Sequence, residues 1–154
     1  QARRVLGVIA YYQAEYPQAI EQITAALALE EQTENRAGAA TCLSNLGLVA
    51  LSQGDYPASI RYFEQSLGIH RQLGDRAGIS TALGNLGMVY EDQADLAAAQ
   101  QMYAEALQIA QALLNGVAAD EIAVYNAQEM INICAAAAGQ PTATPAAPEP
   151  TPTP

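Results

Sequence analysis

The chain repeats itself every forty residues, and this periodicity restricts its fold more than any other feature. LGVIAYYQAEYPQAI (residues 6–20) aligns without gaps on LGLVALSQGDYPASI (46–60), and both align on LGMVYEDQADLAAAQ (86–100). The junctions recur too: Arg36-Ala37-Gly38 returns as Arg76-Ala77-Gly78, Thr41 as Thr81 and Leu43 as Leu83. A sequence of this kind specifies a row of like units, each burying its apolar face against the next.

Inside a unit the apolar residues fall at helical spacing. Leu43, Leu46 and Ala50, then Ile60, Phe63 and Leu67, advance by steps of three and four, with Gly54-Asp55 between the two runs. One unit is therefore two antiparallel helices. Asp55 and Asp95 stand where an N-cap carboxylate can accept bonds from the free amides of the next turn. Pro17 and Pro57 occupy first turns, where a missing N–H costs nothing, and Gly74-Asp75 ends one helix and caps the next. The spacing predicts helices over 1–13, 16–33, 36–53, 56–73, 76–93, 96–114 and 118–138. Gly47 and Gly87 recur at a helix interior, where glycine costs ~1 kcal/mol relative to alanine, so close helix crossings are expected there.

These residues resemble the tetratricopeptide repeat. Leu-Gly in the first helix, then a small residue, an aromatic and a second small residue in the second helix, read as Leu46, Gly47, Ser59, Phe63 and Ser66, and again as Leu86, Gly87, Ala99, Tyr103 and Ala106. The first unit supplies Leu6, Gly7, Ala19, Ile23 and Ala26, with Ile23 in place of the aromatic. A forty-residue period resembles the longer-helix subgroup that includes kinesin light chain and bacterial signalling proteins. The resemblance covers 1–138 and implies an all-α, right-handed superhelical solenoid of antiparallel helix pairs. Its units are about 1–35, 36–75 and 76–115, closed by a capping helix at 118–138.

Residues 118–138 carry Ala123, Ala127, Met130, Cys134 and Ala137 on one stripe, suited to covering the third unit, and Gly139 and Pro141 supply the stop. Residues 139–154 form the expected tail or linker: PTATPAAPEPTPTP holds six of the eight prolines and nothing apolar larger than proline. Such a stretch cannot offset the entropy of folding and should be disordered and rich in polyproline II. The chain starts at Gln1 without a signal-like segment, which reads as a fragment of a longer protein; its expected compartment is the cytoplasm.

Composition bears on partners. Six arginines and no lysine face sixteen acids, a formal charge of −10, which disfavours nucleic acid and anionic membrane surfaces. No apolar run approaches the ~20 residues needed to span a bilayer, so a soluble chain is expected. Cys42 and Cys134 lie far apart inside apolar stripes and read as small hydrophobes. No metal site or cofactor is expected, because zinc takes about four clustered ligands and His70 is the lone histidine, expected on an exposed helix surface. No phosphate loop, HExxH or Gly-x-Ser-x-Gly occurs, and Glu30-Glu31-Glu34 and Glu91-Asp92-Asp95 read as solvated helix ends; enzyme activity is not expected.

The resemblance implies a concave groove lined by the first helix of each unit. In forty-residue register that surface comprises Arg4, Val8 and Tyr12; then Thr41, Asn45 and Leu48; then Thr81, Asn85, Met88, Glu91 and Asp92. Asn45 and Asn85 each offer one acceptor and two donors, able to pair with the C=O and N–H of an extended peptide. Asparagines preceding Leu-Gly serve that use in longer-repeat relatives; the alternative is that both bond neighbouring helices. Val5 breaks the ladder in the first unit, and Arg4 is the groove's cation. The expected function is a protein- or peptide-binding scaffold; the alternative is a structural, oligomerisation or sensory arm of a larger signalling protein.

Overall fold

Each end of each helix is fixed by a few residues that recur with the repeat. A computed structural model describes residues 1–114 and Asn132; the tail expected over 139–154 lies outside the described residues, as does the capping helix over 118–138 except for Asn132, which is helical. Among the described residues there are six further helical segments and no strand: α1 (Ala2–Tyr12), α2 (Tyr16–Gln32), α3 (Arg36–Ser52), α4 (Tyr56–Leu73), α5 (Arg76–Asp92) and α6 (Leu96–Leu114). All six agree with the predicted spans to within a residue at each end.

Asp55, Asp75 and Asp95 are N-caps, their Oδ1 atoms accepting the amides of Ala58, Gly78 and Ala98 at 3.0, 3.0 and 3.1 Å. Asn35 does the same for Gly38 at 3.1 Å, a cap the charge pattern did not reveal. Each is worth ~1 kcal/mol. Glu15 stands at the matching position of the first unit and makes no side-chain cap bond. The preceding turns close in the left-handed region. Ala14, Gly54 and Ala94 have φ of 59°, 73° and 60°, and the amides that follow them reach back to the carbonyls of Ala10, Ala50 and Tyr90 at 2.9 Å. Glu34 and Gly74 repeat this at the junctions between units, with φ of 54° and 67°. Only two of these five residues are glycine, so three carry a Cβ where L-residues are strained by roughly 1–2 kcal/mol.

Each helix packs on the next, and in addition α1 reaches α3 and α3 reaches α5. The described second helices, α2, α4 and α6, make no comparable contact with one another, so the first helices form the inner layer of a solenoid. Within each unit the helices cross at a glycine. A methyl group built on Gly7, Gly47 or Gly87 would stand 2.5, 2.6 or 2.5 Å from Ile23, Phe63 or Tyr103 respectively, closer than carbon atoms approach, which accounts for glycine in a helix interior. Two of the core clusters join neighbouring units. One joins Ile23 and Ala26 of α2 to Cys42, Leu46 and Val49 of α3, and the other joins Phe63 and Leu67 of α4 to Leu83, Leu86 and Val89 of α5.

Three expectations about charge are corrected by this packing. His70 is not a surface residue: its side chain is 12% exposed, its Nδ1 stands 2.9 Å from Asp75 Oδ2, and its ring fills the space beside Gly78. One unit earlier Glu30 takes that place, buried against Gly38 and accepting a 2.7 Å bond from Asn35 Nδ2, so it is not a solvated helix end. Glu91 also departs from that reading, since its half-buried carboxylate accepts the Tyr103 hydroxyl at 2.9 Å. The common cause is that turns between antiparallel helices bring the last turn of one against the first turn of the other. Cys42 is a buried free thiol, and burial pushes its pKa above the ordinary range, with Arg4 partly opposing the shift.

Candidate functional site

The predicted groove residues are carried by α1, α3 and α5, the helices of the inner layer. From α1, Arg4 and Val8 are half-buried and Tyr12 is exposed. From α3, Asn45 and Leu48 are half-buried; from α5, Asn85 is half-buried while Met88 and Asp92 are exposed. Thr41 and Thr81 lie exposed near the start of their helices, each hydroxyl donating to the carbonyl one turn back, Ala37 and Ala77, at 3.0 Å. Glu91 is turned toward α6 by Tyr103.

The structure gathers part of this set around a single depression. Val8, Tyr11, Tyr12, Asn45 and Leu48, floored by Ile23, bound a pocket of about 50 Å³. Its rim is held by aromatic contact: the Tyr11 and Tyr12 rings meet edge to face with centroids 5.3 Å apart, and Tyr16 backs Tyr11 at 6.3 Å. The Tyr11 hydroxyl and Ser52 Oγ share a hydrogen bond of 3.1 Å, which ties α1 to α3 at this end. Asn85, Met88 and Asp92 continue the surface on α5 but do not line that pocket. A volume of this order admits a short aliphatic group and is well below the ~150 Å³ that encloses a benzene ring.

The two asparagines are the chemically informative members. Both are half-buried at one register of the repeat, and neither side chain hydrogen-bonds another described residue. Neither amide is buried without a partner, so both meet solvent and are open to a ligand. By contrast the hydroxyls of the second unit are spent inside the fold: Ser44 bonds Ser66 at 2.9 Å, and Ser59 and Ser66 donate to the carbonyls of Gly47 and Ala40 at 2.9 Å. Ser44, next to Asn45 in α3, is drawn toward α4 by that bond.

A second, wider opening of about 440 Å³ lies at the turn between α2 and α3, among Glu30, Glu31, Glu34, Asn35, Arg36, Ala39 and Ile69. It was not foreseen. Its signal in the sequence is faint, because Ile69 enters from the next unit and only the fold brings it to the acidic turn.

Among the described residues no group of histidine, cysteine and acidic side chains is arranged to hold a metal, and no helix is long and apolar enough to cross a membrane.

Comparison with known proteins follows the same lines. Residues 1–72 and 43–112 match the tetratricopeptide repeat family. No curated protein gave a significant sequence match. Among solved structures, BtubC (BKLC) from P. vanneervenii superposes with a TM-score of 0.80 at 22% identity, over 89% of this chain and 55% of that one. The apo form of RapI gives 0.79 at 15% identity, over 89% and 48%. The N-terminal domain of stress-induced protein-1 (STI-1) from C. elegans gives 0.62 at 21% identity, over 84% and 91%. The chain thus spans about half the length of BtubC and of RapI. At these identities the likeness is one of fold.

Proposed function

Because the chain belongs to the tetratricopeptide repeat family, we propose that it grips an extended segment of another protein along the layer formed by α1, α3 and α5, with Asn45 and Asn85 as the contacts to that segment's backbone. The observation that carries this reading is the pair of half-buried amides, one repeat apart, with no hydrogen bond to another described residue. Each can give a donor and an acceptor to a peptide unit, so gripping is tolerant of the partner's sequence. Side-chain choice falls to the surroundings. The Val8, Tyr11, Tyr12 and Leu48 pocket favours a short aliphatic group, and the exposed Asp92 favours positive charge nearer α5. No catalytic role is part of this reading.

The test is to select a binding peptide from a library and measure its affinity by calorimetry for the unaltered chain and for the Asn45→Ala, Asn85→Ala double variant. Each hydrogen bond contributes ~0.5–1.5 kcal/mol net of water, so affinity should fall by about tenfold or more. The melting temperature should barely move, since the amides make no bond that folding would lose. Equal affinities for two equally folded proteins would refute the assignment.

A further inference from the structure

The junction between the first and second units is lined by different chemistry from the one that follows it. Forty residues on from Glu30, Glu31, Glu34 and Ala39 stand His70, Arg71, Gly74 and Ile79. At the later junction His70 meets Asp75, Arg71 pairs with Glu105, and Ile79 packs against the core cluster of Phe63 and Leu67. At the earlier junction the smaller Ala39 stands in the place of that isoleucine, and it lines the opening of about 440 Å³ together with Ile69 of α4. This volume falls within the ~300–1,000 Å³ of small-molecule sites. The opening is bounded by α2, α3 and α4, all of them inside the row of helices.

Glu30 lines the opening as a carboxylate without a countercharge. It is 9% exposed; its Oε2 accepts a bond from Asn35 Nδ2, while its Oε1 accepts none from a described residue. Glu30, Glu31 and Glu34 form no ion pair among the described residues, and Arg36, the cation of the lining, donates from Nη2 to Gln72 Oε1 instead. Burying a carboxylate is costly unless it is paired, so a cation arriving at Oε1 recovers part of that cost. We propose that the opening binds an aliphatic primary ammonium, its charge on Glu30 Oε1 and its alkyl chain along Ala39 and Ile69. The exposed Glu31 and Glu34 at the rim add negative potential. A guanidinium is matched by two oxygens of one carboxylate, and Asn35 has taken one of them. A calcium ion takes six or more oxygens, and no group of acids among the described residues is arranged to hold a metal. An ammonium needs a single oxygen and lays its stem on apolar surface. The site shares no residue with the peptide groove and does not depend on it.

The probe is n-pentylamine, which is protonated at neutral pH, titrated into the isotope-labelled full chain and followed by backbone amide shifts in NMR. Saturable shifts are expected at Asn35, Ala39 and Ile69, and n-pentanol, of the same length but uncharged, should bind at least about tenfold more weakly. Glu30→Gln should weaken n-pentylamine by a similar factor. Ala39→Ile copies the next unit and should do the same by filling the space while leaving the carboxylate in place; it decides the matter if circular dichroism shows that Glu30→Gln does not fold. A further arm uses Nα-acetyl-lysine methylamide. Binding as tight as that of n-pentylamine would support the site and identify the source as a lysine side chain of another polypeptide, whereas binding of n-pentylamine alone would support it with a free amine as the source. Absence of saturable shifts, equal affinity for n-pentanol, or an affinity unchanged in folded Ala39→Ile would overturn the proposal.

Discussion

The second and third units place nearly the same backbone around different chemistry. In the second, α3 and α4 meet through buried serines: Ser59 and Ser66 donate to backbone carbonyls of α3, and the aromatic between them is Phe63, beside Leu51. In the third, alanines 99 and 106 replace both serines, and Tyr103 replaces the phenylalanine with its hydroxyl on Glu91, the counterpart of Leu51. Each unit is locally consistent. A hydroxyl added to the ring comes with an acceptor, and an apolar ring comes with an apolar neighbour. The crossing tolerates either solution because its geometry is set by glycine and by ring size, and the polar detail needs only to be satisfied where it occurs.

The comparison breaks first at the glycines. Leucine at Gly47 or Gly87 must displace the Phe63 or Tyr103 ring, so each variant should lose about 3 kcal/mol of stability, read from thermal or urea unfolding. An unchanged midpoint in one unit would show that its crossing is not held by contact. A second experiment exchanges the pairs. Phe63→Tyr alone places a hydroxyl against Leu51 and should cost about 1–3 kcal/mol, and adding Leu51→Glu should recover part of it. In a double-mutant cycle the coupling should be favourable, and a value of zero would show that the tyrosine and the acid are independent.

Much of this was legible in the sequence. The forty-residue period, the aspartate caps and the glycine crossings could be read, because they depend on local backbone chemistry or on a residue repeated in register. The residues expected to line a groove could be assigned to the first helices. What could not be read were partners supplied by the turns: Glu30 with Asn35, His70 with Asp75, and Glu91 with Tyr103. Each involves a polar residue whose burial depends on how the following helix folds back. A charge run looks the same in a sequence whether its members face water or a neighbouring helix. The first two of these pairs do share one register, so aligning the junctions as closely as the helices would have exposed them.

Smaller effects sharpen the comparison at the turns. Gly54 and Ala94 share a left-handed conformation, φ 73° and 60°, but only the second unit uses glycine. Gly54→Ala should destabilise by about 1 kcal/mol and Ala94→Gly should stabilise by a similar amount, measured by chemical denaturation. Opposite signs from the same position in two units would show that the strain belongs to the turn. The smallest effect is confined to alkaline solution. Cys42 stands where the third unit has Ala82, and burial raises its pKa. Below the ordinary thiol range both folded and unfolded forms are protonated and pH has no effect; above about 8.5 the unfolded thiol ionises first and folding loses free energy. Cys42→Ala should remove that part of the alkaline decline and leave the rest, whereas identical pH profiles would show that the thiol contributes nothing.

Among the described residues packing runs chiefly between successive helices, with α1–α3 and α3–α5 besides, and this also governs how the molecule comes apart. A break at one junction leaves every contact on the far side intact, so the described row can open one helix pair at a time, and protection from hydrogen exchange should rise in steps from the outer described helices toward α3 and α4. Short sequence separation between partners makes for rapid refolding of each opened pair. Under tension such a row behaves as a spring that yields and recovers turn by turn, and a segment lying across α1, α3 and α5 would brace it by coupling units that otherwise respond separately.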